Sequence, residues 1–348
     1  MSSIKVLVID DSAFMRQIIS RMLETDPSIT VVGVARDGED ALHKIERLQP
    51  DVLTLDLEMP KMDGLAFLAK IMAERPLPVV VVSSWAAAGA DKTIQALELG
   101  AVDFVTKPVS IPSESMWDIA EELLAKVRAA GSANIVGHAA DTPPRELPAA
   151  CRKPADEPAI CCLAASTGGP KALQSIVARF PSDFPMGVLL VQHMPPGFTS
   201  VFACHLAGLV GLPVSEASDG RLLERGHVLI APSGYQTTVV GGPGRLYLRV
   251  GAAPQSAYRP SADVTFDSIA KACGSHAIGV LLTGMGQDGA RGLLAMRRRG
   301  AKTIAESGET CVVHGMSRVA AEIGAADLVL PLWQIPEAIL AWAGLARV

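Results

Sequence analysis

The sequence of 348 residues is poor in aromatic side chains (4%) and in charge (19%), and it holds only six cysteines and one short basic cluster, Arg297-Arg298-Arg299. Each shortage excludes something. Cys151, Cys161, Cys162, Cys204, Cys273 and Cys311 form no C-x-x-C pair, and Cys161-Cys162 lies in an apolar run, so buried reduced thiols are expected rather than a metal or redox site. With 31 Lys and Arg against 36 Asp and Glu the formal net charge is -5, which leaves little to neutralise a nucleic-acid backbone. Apolar runs such as 79–82 and 279–282 fall far short of the roughly 18 residues that a membrane span needs, so no membrane insertion is expected. Met1-Ser2-Ser3-Ile4-Lys5 lacks the apolar stretch and cleavage site of a signal peptide, and the cytoplasm is the expected compartment.

What is abundant is aliphatic: hydrophobic residues make up 49% of a chain long enough for two or three domains. Over residues 1–127, β-branched runs at 5–9, 30–35, 52–55, 79–83 and 102–106 alternate with helix-period stretches near 13–24, 38–48, 64–74, 91–99 and 115–129. That rhythm predicts a doubly wound, flavodoxin-like α/β domain. Residues 128–158 turn to Gly, Ser, Ala and Pro without a sustained period and read as a linker. A second α/β pattern fills 159–348, with strands at 160–164, 187–191, 228–231, 277–282, 302–305 and 328–330. It predicts a Rossmann-like domain with a mainly parallel sheet, helices at 170–179, 198–208, 262–273, 288–299 and 316–323, and a β-hairpin over 235–250.

Asp10-Asp11 closes the first predicted strand and Asp56 the third, so in a parallel sheet they converge on the crevice at the strands' carboxyl ends. Three carboxylates packed together repel one another unless a hard cation sits among them, and Mg²⁺ suits that role. Ser83 and Lys107 follow the fourth and fifth strands to the same rim, a set suited to accepting a phosphoryl group. Any one Asp here could instead cap the helix that follows; five such residues at successive strand ends leave that alternative little room.

The motifs Ile9-Asp10-Asp11-Ser12, Asp56-Leu57-Glu58-Met59-Pro60, Met62-Asp63-Gly64 and Thr106-Lys107-Pro108 resemble the receiver domains of two-component response regulators. The resemblance implies that Asp56 accepts the phosphoryl group and that Asp10, Asp11, Asp56 and the main-chain carbonyl of Glu58 hold Mg²⁺. It further implies that Ser83 is the switch hydroxyl, with Ser84 one position away, and that Lys107 contacts the phosphate.

In the second half, 160–165 runs into Ser166-Thr167-Gly168-Gly169-Pro170, a strand-to-helix turn that can expose a serine hydroxyl. On that motif alone a helix cap or a phosphate-cradling loop is the commoner reading. His193 ends the next strand and can act as general base, although a lone histidine is usually just hydrogen-bonded. Asp288, in Leu282-Thr283-Gly284-Met285-Gly286-Gln287-Asp288-Gly289, follows a further strand and could either face the imidazole Nδ1 or cap the helix over 289–299. The order Ser, His, Asp matches none of the three familiar serine-hydrolase orders.

Residues 159–345 resemble the catalytic domain of the chemotaxis protein-glutamate methylesterase/glutaminase family, CheB. The resemblance rests on 164–170, on Val191-Gln192-His193-Met194-Pro195-Pro196-Gly197-Phe198, on Arg259-Pro260-Ser261-Ala262-Asp263 and on 282–290. It implies that Ser166 attacks a receptor glutamyl ester or glutamine, that His193 moves the proton, that Asp288 orients the imidazole, and that backbone N–H groups near Thr167 and Met285 form the oxyanion hole. The esterase chemistry then needs no cofactor. The implied partners are methyl-accepting chemotaxis receptors as substrate and a chemotaxis histidine kinase as phosphodonor. Gln236 and Thr237, where the family usually carries histidine and methionine, and Ser317, where proline is common, depart from the pattern and put substrate docking in question. A receiver ahead of a hydrolase predicts that the first domain obstructs the second until Asp56 is phosphorylated. The rival readings are a non-catalytic docking module and a DNA-binding output, for which no compact basic helix-turn-helix is present.

Overall fold

A computed structural model describes residues 3–84, 87–107, 113–135 and 159–345. The chain divides into two compact units, Met1–Val136 and Gly137–Val348.

The first unit alternates strands β1 (Ile4–Ile9), β2 (Ile29–Ala35), β3 (Val52–Leu55), β4 (Val79–Ser83) and β5 (Asp103–Thr106) with helices α1 (Ala13–Leu23), α2 (Gly38–Leu48), α3 (Gly64–Glu74), α4 (Ala87–Leu99) and α5 (Ser113–Gly131). The sheet order is β2-β1-β3-β4-β5 and every neighbouring pair is parallel. β3 and β4 are buried on both faces, which is why they read as unbroken Val and Leu runs without alternation. The chain leaves β1 toward β2 on one side and returns to β3 on the other, and a ligand crevice opens where that order reverses. α5 continues to Gly131, past the expected linker start at 128, because Val127, Ala129 and Ala130 are buried. Residues 136–158 of that linker, Cys151 included, lie outside the described residues.

The second unit carries strands β6 (Ile160–Ala165), β7 (Gly187–Gln192), β8 (Val214–Glu216), β9 (Val228–Ile230), β10 (Gln236–Gly242), β11 (Arg245–Gly251), β12 (Ala277–Leu281), β13 (Lys302–Glu306) and β14 (Leu328–Leu330). Its helices are α6 (Gly169–Val177), α7 (Phe198–Ala207), α8 (Ala262–Cys273), α9 (Ala290–Arg298), α10 (Met316–Glu322) and α11 (Ile335–Trp342). Seven strands form one sheet in the order β14-β13-β12-β6-β7-β9-β8, parallel throughout, so the sheet is wholly parallel rather than mainly so. β10 and β11 form a separate antiparallel hairpin that packs on α8. Leu189, Leu229, Leu248, Phe266, Leu281 and Met296 knit sheet, hairpin and helices into one core. The reversal of strand order falls between β6 and β12.

Candidate functional site

Ser166 and His193 are neighbours because the sheet puts them there. β6 and β7 are parallel and their last paired residues are Ala165 and Gln192, so each strand delivers its next residue to the same rim. The His193 N–H donates to Ala165 O at 3.2 Å and adds a rung to the ladder, while the Ser166 N–H donates to Thr283 O at 3.0 Å just past β12. Buried Gln192 locks the rim, donating from Nε2 to Ser166 O at 2.9 Å and to His193 O at 3.0 Å. Two glycines make this closeness possible: a Cβ at Gly169 would stand 2.1 Å from Gln192 Oε1, and one at Gly284 would stand 2.8 Å from Ser166 Cβ. The cap of α6 is Gly168, with no side-chain bond, so Ser166 is not spent on capping.

Asp288 meets this pair from the third strand end. Its Oδ2 lies 2.9 Å from His193 Nε2 and accepts the Ala262 N–H at 2.7 Å; its Oδ1 accepts the Ser261 hydroxyl at 2.8 Å and the Asp263 N–H at 3.2 Å. The carboxylate thus sits on the N-terminus of α8, where the helix dipole favours negative charge. Burial would raise its pKa, but the His193 bond and charge, Ser261 and Ala262 outweigh burial and hold it below the usual value. It does not cap the helix after it, since the cap of α9 is Gly289 in a left-handed conformation (φ 90°). The nitrogen assignment differs from expectation: Asp288 takes Nε2, not Nδ1. The carboxylate is pinned at the start of α8 by Ser261, Ala262 and Asp263, and from there it meets Nε2. Nδ1 is left buried and without a partner. A neutral imidazole with its proton on Nε2 has Nδ1 as acceptor, the form a general base requires.

The two residues proposed for the oxyanion hole flank this rim. The Thr167 carbonyl is anchored by the Thr283 hydroxyl at 2.9 Å. Met285 is 37% exposed. It follows Gly284, whose N–H donates to Val313 O at 3.0 Å and whose carbonyl accepts from Gly315 and Met316 at 3.1 and 2.9 Å.

The sequence did not point to three further groups. The Tyr258 ring stacks on His193, centroids 4.5 Å apart and planes 3° from parallel. Ser261 was visible only as part of a motif. Glu306, at the end of β13, is fully buried; its Oε2 accepts the Thr283 N–H at 2.8 Å, its Oε1 has no partner, and burial pushes its pKa up to about 7. Only an acidic residue ending an apolar strand could have flagged it. The departures at Gln236, Thr237 and Ser317 are all fully buried, so they alter packing behind the rim rather than a docking surface. Ser317 lies in the first turn of α10, a place that also tolerates proline, with its hydroxyl 3.2 Å from Cys311 Sγ.

The first unit brings Asp10, Asp11, Asp56 and Lys107 together at the strand reversal. Lys107 Nζ lies 2.9 Å from Asp10 Oδ2 and 2.7 Å from Asp56 Oδ2. Asp10, Asp11 and Asp56 each offer an oxygen within 4.8 Å of the others, Asp11 exposed and the other two buried. Ser12 caps α1, accepting the Met15 N–H, which leaves Asp11 free of that duty. Burial, reinforced by the Asp10 charge, raises the Asp56 carboxyl despite Lys107, while burial of Lys107 is overridden by Asp56 and Asp10, so its own pKa rises. Three carboxylates around one ammonium leave net negative charge and an all-oxygen donor set, which fits a hard divalent cation. The Glu58 N–H donates to Asp56 Oδ1 at 3.2 Å. Ser83 is buried, and its hydroxyl accepts from Thr93 Oγ1 at 2.6 Å.

Comparison with known proteins gives this geometry a lineage. A response regulator receiver domain model matches residues 6–114 and a CheB methylesterase model matches residues 161–339. A protein-glutamate methylesterase/protein-glutamine glutaminase of Symbiobacterium thermophilum is 49% identical, covering 97% of this chain and 96% of its own length. A second, from Pseudomonas aeruginosa, is 45% identical over 97% of this chain and 96% of its own. Among solved structures, the Thermotoga maritima CheB methylesterase catalytic domain aligns with a TM-score of 0.51 and 39% identity, covering 53% of this chain and 98% of that one. Among the described residues no helix is long and apolar enough to cross a membrane. With a receiver domain ahead of an α/β esterase domain, the chain belongs to the CheB family of protein-glutamate methylesterase/protein-glutamine glutaminases.

Proposed function

We propose that the chain is a phosphorylation-activated hydrolase that removes methyl esters from glutamates, and deamidates glutamines, of methyl-accepting chemotaxis receptors. The observation that carries the reading is the 2.9 Å contact of His193 Nε2 with Asp288, which leaves Nδ1 unpartnered on a residue whose strand end adjoins the one that carries Ser166. Ser166 Oγ attacks the γ-carbonyl as His193 Nδ1 takes its proton, and Asp288 stabilises the imidazolium through Nε2–H. N–H groups near Thr167 and Met285 hold the developing oxyanion. Collapse releases methanol or ammonia, which leaves with the proton from His193, and water activated by the same nitrogen then hydrolyses the acyl-serine to glutamate.

In the receiver, Asp56 accepts the phosphoryl group from a chemotaxis histidine kinase. Asp10, Asp11, Asp56 and the Glu58 carbonyl would hold Mg²⁺, which when bound neutralises phosphoryl oxygens during transfer. Lys107 pairs with the modified carboxylate, and Ser83 supplies a hydroxyl to it. Domain limits of 1–127 and 159–348 follow from the same reading.

Methanol release from methylated receptor, with and without a small-molecule phosphodonor, tests both levels. The phosphodonor is expected to raise the rate, and a fragment starting near Asp156 is expected to outpace the unmodified whole. An equal rate for fragment and whole would remove the inhibitory role of the receiver, and methanol release by Ser166→Ala would remove the nucleophile.

A further inference from the structure

We infer that Tyr258 is a positioning residue of the hydrolase: its ring, stacked face to face on His193, fixes the plane in which the imidazole handles the serine proton. The inference rests on the reading of His193 as the base. A hydrogen bond to Asp288 restrains one ring nitrogen, but a ring held there and at Cβ can still rock about the line between those two anchors. Rocking moves the opposite nitrogen, Nδ1, to which the proposed function assigns the serine proton. A parallel aromatic face at 4.5 Å removes that freedom.

The placement of Tyr258 is itself built. Its carbonyl accepts Gln236 Nε2 at 2.7 Å, and Gln236 Oε1 accepts the Ser261 N–H at 2.9 Å. One fully buried amide therefore grips both ends of the segment 258–261. The first end covers the imidazole; the second, through the Ser261 hydroxyl, bonds Asp288. At its tip, the Tyr258 hydroxyl lies against the loop that delivers Asp288, since a Cβ on Gly286 would stand 3.3 Å from it. Base, acid and covering ring are thus tied through one segment, although only the first two are polar partners. The ring is 37% exposed, so it bears on the site and contributes little to the core.

The test uses full-length Tyr258→Leu and Tyr258→Phe, with methanol release from methylated receptor as the assay and the His193 ring-proton NMR signals as a direct readout of stacking. Tyr258→Leu is expected to lower kcat about tenfold with KM unchanged and to move the His193 signals as the ring current is lost. Tyr258→Phe, which keeps the ring, is expected to restore most of kcat and the signal positions. A leucine variant with parental kcat, a change confined to KM, or a phenylalanine variant as slow as leucine would each overturn the inference. His193→Ala separates the two levels: if it retains full methanol release, the reading of the base fails, whatever the Tyr258 variants do.

Discussion

Asp56 and Asp288 are both buried carboxylates at the carboxyl edge of a parallel sheet, yet their surroundings push them in opposite directions. Asp56 shares one ammonium with Asp10 and is raised; Asp288 gathers an imidazole, a hydroxyl and two backbone N–H groups and is lowered. Burial sets the cost of charge, and the number of donors decides whether that cost is met. The carboxylate of the second site is fully partnered by its own chain. The first is left short of positive charge, as the proposed cation and phosphoryl chemistry requires.

The largest expected effect isolates the second site. Ser166→Ala should reduce methanol release by on the order of 10⁴ or more, while phosphorylation of Asp56, followed by radiolabelled phosphodonor, continues. Loss of both would break the claim that the two sites carry separate chemistries.

Asp288→Asn comes next, with kcat lower by about 10³ to 10⁴, because an amide cannot offset the imidazolium charge. Its pH behaviour follows from sign. The folded pKa lies below the ordinary value of 3.8, so the stability Asp288 contributes is present above 3.8 and lost as pH falls toward the folded value. In urea unfolding, parent and variant should therefore converge below pH 3.8.

Glu306 sharpens the contrast as a third buried acid with a single backbone donor and one bare oxygen. Its pKa is raised from 4.5 to about 7, which corresponds to about 3 kcal/mol. The domain is then most stable below pH 4.5 and weakens as pH climbs through 7. Glu306→Gln should remove that slope and stabilise the protein at pH 8 by about 2 kcal/mol, measured by urea unfolding. An unchanged pH dependence would refute it.

The smallest effect concerns the first site. Asp56→Asn should weaken Mg²⁺ binding roughly tenfold, read by calorimetry on the full chain, because one of three negative ligands is lost. Mg²⁺ binding to the parent should also fade with acidification from above pH 3.8, since the proton competes at a raised carboxyl.

The regular elements were legible because the central strands β3, β4, β6, β7 and β12 are buried along their whole length and so appear as apolar runs without alternation; α8 fits its expected span of 262–273. What escaped was marginal or three-dimensional. β8 is three half-buried residues at a sheet edge, and α11 has Pro336 as its second residue, which reads as a breaker although the first turn accepts it. Strand ends announced Ser166, His193 and Asp288, but no linear pattern says which imidazole nitrogen meets the acid. Tyr258 and Glu306 owe their places to tertiary packing alone, and so does Thr93, whose bond to Ser83 comes from inside a helix.

One rung of sheet has a further consequence. Because Ser166 and His193 extend Ala165 and Gln192 by a single step, their backbone spacing is inherited from the pitch between two central strands. Such an alignment cannot drift by degrees while the β-sheet survives. Heat should abolish turnover and melt the esterase domain at the same temperature, with no inactive but folded interval between them.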